Sequence, residues 1–112
     1  MPYLQLDDRF AEHPKMTGLS AVAFRLHVTG LCFVARQLTD GAISSGSLRG
    51  ILANSGAAKR HVTELVTAGL WEVAGDGHRV HDYLDWNSSR SEVEARVEQA
   101  RKAARARWNG NG

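Results

Sequence analysis

Between residues 56 and 67 the chain places Gly56, Arg60, Thr63, Glu64 and Thr67 at spacings that share one side of a helix, with Lys59 flanking it. Ala58, Val62, Leu65 and Val66 fall on the opposite, apolar side, with His61 and Ala68 at its border. Small, hydroxylated and basic residues facing away from a core suit a helix that enters a major groove. A guanidinium such as that of Arg60 grips a guanine edge with two hydrogen bonds, and threonine offers a hydroxyl and a methyl to neighbouring bases. The expected division of labour gives base edges to Arg60, Thr63 and Thr67. It gives the phosphate backbone to Ser47, Arg49, Ser55 and Lys59. His78 and Arg79 follow on a hairpin whose tip would meet phosphate. The bland alternative is that Arg60 and Glu64 form a surface ion pair on a module that binds protein.

Other chemistry finds little support. His78, His81 and Asp82 could be drawn as metal ligands, but on an extended strand residues three apart point to opposite faces. With one cysteine and no HExxH pattern, neither a metal nor a cofactor is expected. His27 reads as a hydrogen-bonded structural histidine, and His61 as a packing residue or a phosphate contact. Asp82 and Asp85 suit turn amides or a helix cap better than a catalytic carboxylate pair. Cys32 lies in an apolar helical run and is expected to be buried and unreactive. There is no glycine-rich phosphate loop. No enzymatic activity is expected.

The elements that would position these residues read as helix, tight turn, helix and hairpin over residues 47–81, the order of a winged helix-turn-helix. Ser47 would open the first helix, packing Leu48, Ile51 and Leu52 inward. Ser55 is the expected N-cap of the second, and Gly69 supplies its left-handed end. Asp76-Gly77 favours a two-residue type I′ turn, which pairs Val73 with Val80 inside and Glu72 with His81 outside. Trp71 opens the first strand of that hairpin on the same side as Val73. Before this unit a long helix starts at Ser20, with Leu19 and Phe24 as a hydrophobic staple, and runs to about Leu38. Phe24, Val28, Leu31, Ala35 and Leu38 line one face of it, and Val22, Leu26 and Phe33 line a second. Such a helix is buried on most of its circumference, and Gly30 inside it suggests a close crossing with another helix. Thr39-Asp40-Gly41 ends it, and residues 42–44 form a short strand. Further upstream, residues 3–6 alternate weakly as a strand. Residues 7–10 form a turn or short helix carrying Phe10 inward, and His13-Pro14-Lys15 breaks regular structure.

After the hairpin, Tyr83, Leu84 and Trp86 are expected to fold back on the body, and residues 87–89 to cap a last helix over 90–108. Its apolar residues, Val93, Val97, Ala100, Ala104 and Trp108, are too thin for a core helix. They suit a projecting arm, a homodimer seam or a docking element, with a flexible end after it. Charge divides the chain the same way. Residues 1–87 hold 8 Lys/Arg and 9 Asp/Glu, whereas residues 88–112 hold 6 and 3. Arg101, Lys102, Arg105 and Arg107 would add non-specific attraction to a polyanion. One domain over 1–87 plus a basic tail over 88–112 is the expected organisation. The overall class is mainly α with a small β-hairpin wing (α+β). No apolar run approaches the length of a membrane span, so a cytoplasmic protein with no membrane contact is expected.

Four segments together resemble a known group: LDDRFAEHPK (6–15), LSAVAFRLHVTGLCFVARQLTDGAI (19–43), ELVTAGLWE (64–72) and VHDYLDWNSSRSEVEARVEQARKAARARW (80–108). They resemble small winged-helix proteins of actinobacterial phages and prophages, similar in layout to the N-terminal domains of DnaD-like replisome organisers. The resemblance implies a winged-helix fold and work on double-stranded DNA, in replication initiation or transcriptional regulation. The competing expectation is a non-catalytic module that binds a replisome or host protein.

Overall fold

The computed structural model describes residues 4–81, 83 and 90–110. A 3-10 turn over Phe10–Glu12 leads into a short helix, α1 (Pro14–Thr17), and then the long α2 (Ala21–Gln37). Strand β1 (Ala42–Ile43) precedes α3 (Ser45–Ser55) and α4 (Lys59–Thr67). The hairpin β2 (Trp71–Ala74) and β3 (Gly77–Val80) follows, and α5 (Arg90–Gly110) ends the described chain. The result is a mainly helical α+β fold with one antiparallel sheet of order β1-β3-β2.

Helix α2 begins as the sequence predicts. The Ser20 hydroxyl accepts from the Ala23 N–H, satisfying one of the orphan amides of the first turn. Leu38 ends it in a left-handed conformation at φ 54°. The buried stripe is Ala23, Leu26, His27, Gly30, Leu31, Val34 and Ala35, narrower than expected. Val22 is 36% exposed, and Cys32 is exposed rather than buried. The stripe packs against α3, α4 and β1. Leu26, Val34, Ile43, Leu65 and Trp71 are the largest fully buried side chains. Each contributes about 1.5–3 kcal/mol through burial. The close approach at Gly30 is made by the Trp71 ring and not by a helix, since a Cβ there would lie 2.6 Å from Trp71 Cζ2.

Trp71 is also tied to α2 by a hydrogen bond, its Nε1–H donating to His27 Nδ1 at 3.0 Å. A buried indole N–H requires such a partner. Burial lowers the His27 pKa to about 4, so the ring is neutral at neutral pH. With Nδ1 accepting, its proton resides on Nε2. Phe10 stacks on the same imidazole at 5.9 Å between centroids, which places the N-terminal turn against α2.

Several local expectations are overturned. Residues 4–6 form no strand, and His13 caps α1 with Pro14 at its first position instead of breaking structure. Ser44, not Ser47, caps α3, its hydroxyl accepting from the Ser47 N–H. The hairpin turns at Gly75-Asp76, so Trp71 pairs with Val80, Glu72 with Arg79 and Val73 with His78. Only Gly75 of the two turn residues has positive φ, the pattern of a glycine-first type II′ turn. Val73, expected to pack inside against Val80, is 70% exposed. Tyr83 is buried. The expected roles of Asp82, Leu84, Asp85, Trp86 and residues 87–89 fall outside the described residues. Helix α5 spans the predicted range, and its side chains from Ser91 to Arg107 are exposed except for half-buried Val93.

Candidate nucleic-acid interface

Helices α3 and α4 are joined by three residues, with Gly56 at φ 70° stopping the first and Ala58 opening the second. Ala58 has no side-chain acceptor. Its N–H donates instead to His61 Nδ1 at 2.9 Å, so His61 is a capping and packing residue. Gly69, at φ 77°, closes α4 as predicted, letting the Leu70 N–H reach the Leu65 carbonyl. Val62 and Leu65 are buried, which rotates Lys59, Arg60, Thr63 and Thr67 to the exposed face. The Thr63 hydroxyl back-bonds to the Lys59 carbonyl at 3.4 Å, leaving its lone pairs to accept from outside.

Glu64 is the sole carboxylate of α4. The Ser20 N–H donates to it at 2.6 Å and the Ser20 hydroxyl at 2.8 Å. That amide bond, then the hydroxyl bond, holds the Glu64 carboxyl below the usual carboxylate range. The carboxylate of Glu64 is thus engaged in a link between α4 and the start of α2, where the bland alternative had it paired with Arg60. Lys59 and Arg60 occupy the first turn of α4, which contains no acidic residue. Two cations at the positive end of a helix dipole oppose it, and an anion bound there would relieve the opposition.

The exposed face forms one wall of a shallow groove. Arg60, Thr63 and Thr67 face Pro14, Lys15 and Leu19 across it. Lys15 thus joins the candidate surface, although nothing in its local sequence marks it. The contact comes from the fold, which lays α1 beside α4. Lys15 also borders a separate concavity of about 410 Å³ whose apolar wall includes Phe10, Met16, Leu31 and Leu70.

The remaining candidates divide. Arg49 is exposed on α3. Ser47 is half-buried and its hydroxyl accepts from the Ser44 hydroxyl at 3.0 Å, a local capping arrangement. Ser55 is buried at the end of α3 and donates to the Ile51 carbonyl at 2.8 Å, so it neither caps α4 nor reaches a backbone phosphate. Arg79 is exposed in the central strand, opposite Glu72 and Ala42 and away from the turn. His78 pairs with Val73 and Ile43, its ring 6.2 Å from that of Trp71. Its Nδ1 is buried and has no hydrogen-bond partner. Neither residue sits at the hairpin tip, which is Gly75-Asp76. Arg101, Lys102, Arg105 and Arg107 are exposed along α5.

Among the described residues no three His, Cys, Asp or Glu side chains group as metal ligands, and no helix is long and apolar enough to cross a membrane. Comparisons with protein-family models, with curated proteins and with solved structures return no match to this chain.

Proposed function

We propose that the protein is a non-catalytic, winged-helix double-stranded DNA-binding protein of phage type, with α3 and α4 as its helix-turn-helix and β2-β3 as its wing. One observation carries this reading. The single acid of α4 is drawn off to Ser20, while Lys59, Arg60, Thr63 and Thr67 stay exposed beside it. That leaves a helix face of donors, hydroxyls and positive charge, the chemistry that reads a major groove. The three-residue connection with a glycine at its start is the usual build of a helix-turn-helix. In this arrangement Arg60 and Thr63, with Thr67, meet base edges. Lys59 and Arg49 hold phosphate, joined by Lys15 across the groove. Arg79 contacts the backbone from the flank of the sheet, and the α5 cations add sequence-independent attraction. Ser55 and Ser47 act indirectly, by fixing α3. A role in replication initiation or transcriptional control, in the cytoplasm, suits such a protein.

The test is a fluorescence-anisotropy titration of random and genomic duplexes between 50 and 300 mM salt. A slope of log affinity against log salt near −4 to −6 matches about five to seven phosphate contacts. Arg60→Ala should then lose about 1–3 kcal/mol on the preferred site and relax its specificity there. Equal losses on scrambled DNA would remove Arg60 from base reading. No binding at 50 mM would overturn the proposal and leave the protein-interaction module as the reading to pursue.

A further inference from the structure

Helix α5 carries an apolar seam that is exposed from Val97 onward, with Val93 at its start half-buried. Val93, Val97, Ala100 and Ala104 recur at spacings of 4, 3 and 4, the alternation that keeps a stripe facing a partner helix. Val97 is 47% exposed, and Ala100 and Ala104 are exposed. The charges flanking this stripe are not evenly distributed. Glu92, Glu94 and Glu98 stand with Arg90 and Arg96 in the first half of the helix, whereas the second half is wholly basic, with Arg101, Lys102, Arg105 and Arg107.

We infer that α5 pairs antiparallel with α5 of a second copy of this chain, centred between residues 98 and 99. About that centre Val97 meets the partner's Ala100 and Val93 meets the partner's Ala104. Every layer then sets one large side chain against one small, giving a seam of even width. Glu94 and Arg101 border the seam on one side. The antiparallel arrangement places Glu94 opposite the partner's Arg101, and the symmetry of the pair repeats the contact. A parallel pair does the reverse. It sets Arg96 against the partner's Arg101, valine against valine and alanine against alanine, with like charges abutting and the two alanine layers underfilled. Charge and volume therefore select the same orientation. The inference stands independently of any DNA binding.

With four thin layers the association is weak and concentration-dependent, so sedimentation equilibrium of the full chain over a wide concentration range at 50 mM salt is the appropriate measurement. A monomer–dimer equilibrium is expected for the natural sequence. Glu94→Arg and Arg101→Glu each set like charges opposite one another twice, and each alone should weaken dimerisation about tenfold. Both positions are exposed, and unchanged circular dichroism separates this effect from misfolding. Mixing the two variants is decisive. In an antiparallel pair the arginines at positions 94 and 101 of one variant both meet glutamates of the other, so the mixture should associate at least as well as the natural protein. A parallel pair would behave differently, since Arg101→Glu alone would remove both Arg96–Arg101 clashes and strengthen association, while the mixture would keep one of them. A chain monomeric at all concentrations, variants that dimerise like the natural protein, or a mixture that stays monomeric would each overturn the inference.

Discussion

The hydrogen bond from Trp71 to His27 makes the fold acid-sensitive in a defined window. Nδ1 of His27 accepts the indole N–H, so protonating that atom would set two donors against each other in a site only 3% exposed. The folded pKa lies at about 4, against an ordinary value of 6.5. Between these two values the unfolded chain binds more protons than the folded one, so stability falls as pH drops from 6.5 toward 4 and is unaffected by this group above that range. The full difference corresponds to about 3 kcal/mol, of which about 2 kcal/mol should be lost between pH 7 and pH 5. That is a large part of the stability of a small domain. Urea unfolding at half-unit pH steps measures it, with His27→Asn as the reference, because the amide oxygen can accept from Trp71 without titrating. The natural protein should lose about 2 kcal/mol more than the variant on acidification to pH 5. Parallel pH profiles would refute the account of His27 as a buried neutral acceptor.

Gly30→Ala tests the contact on the other side of Trp71. The new methyl would lie 2.6 Å from Cζ2 and 3.1 Å from Cη2, and such overpacking costs about 1–3 kcal/mol against about 1 kcal/mol of helix propensity regained. A melting temperature lower by about 4–8 °C is the expected outcome of a net loss near 1 kcal/mol, and an unchanged or raised value would contradict the packing. Cys32, exposed on α2, should react with an aromatic disulfide reagent in the folded protein at a rate close to that in denaturant. Marked protection in the native state would place it in the core after all.

What could be read from the sequence was what depends on neighbours along the chain. The start of α2 at Ser20, the end of α4 at Gly69 and the outward face bearing Arg60, Thr63 and Thr67 all follow from local caps and a 3.6-residue period. The hairpin register did not, because it is decided by a strand more than thirty residues away. Asp76-Gly77 is the stronger local turn signal, yet Gly77 is needed where β3 runs against β1, since a Cβ there would overlap the Ile43 carbonyl oxygen. The turn therefore falls one residue earlier, and His78 and Arg79 move into the sheet. Ser55 misled for a similar reason. The chain stays helical until Gly56 can leave by positive φ, and the serine hydroxyl is spent on the Ile51 carbonyl. The Glu64–Ser20 link spans 44 residues and no spacing rule announces it.

The two glycine contacts also bear on ancestry. At position 30 the space a side chain would fill is taken by an indole, and at position 77 by backbone that has no alternative place to go. Substitutions on the outer face of α2 alter little of this, so that face is free to diverge. A glycine in the middle of a long helix, a tryptophan at position 71 and a second glycine at position 77 form a sparse pattern set by sterics and not by function. Descendants of the same ancestor should keep that pattern after their overall identity has faded, including those that no longer bind the same partner.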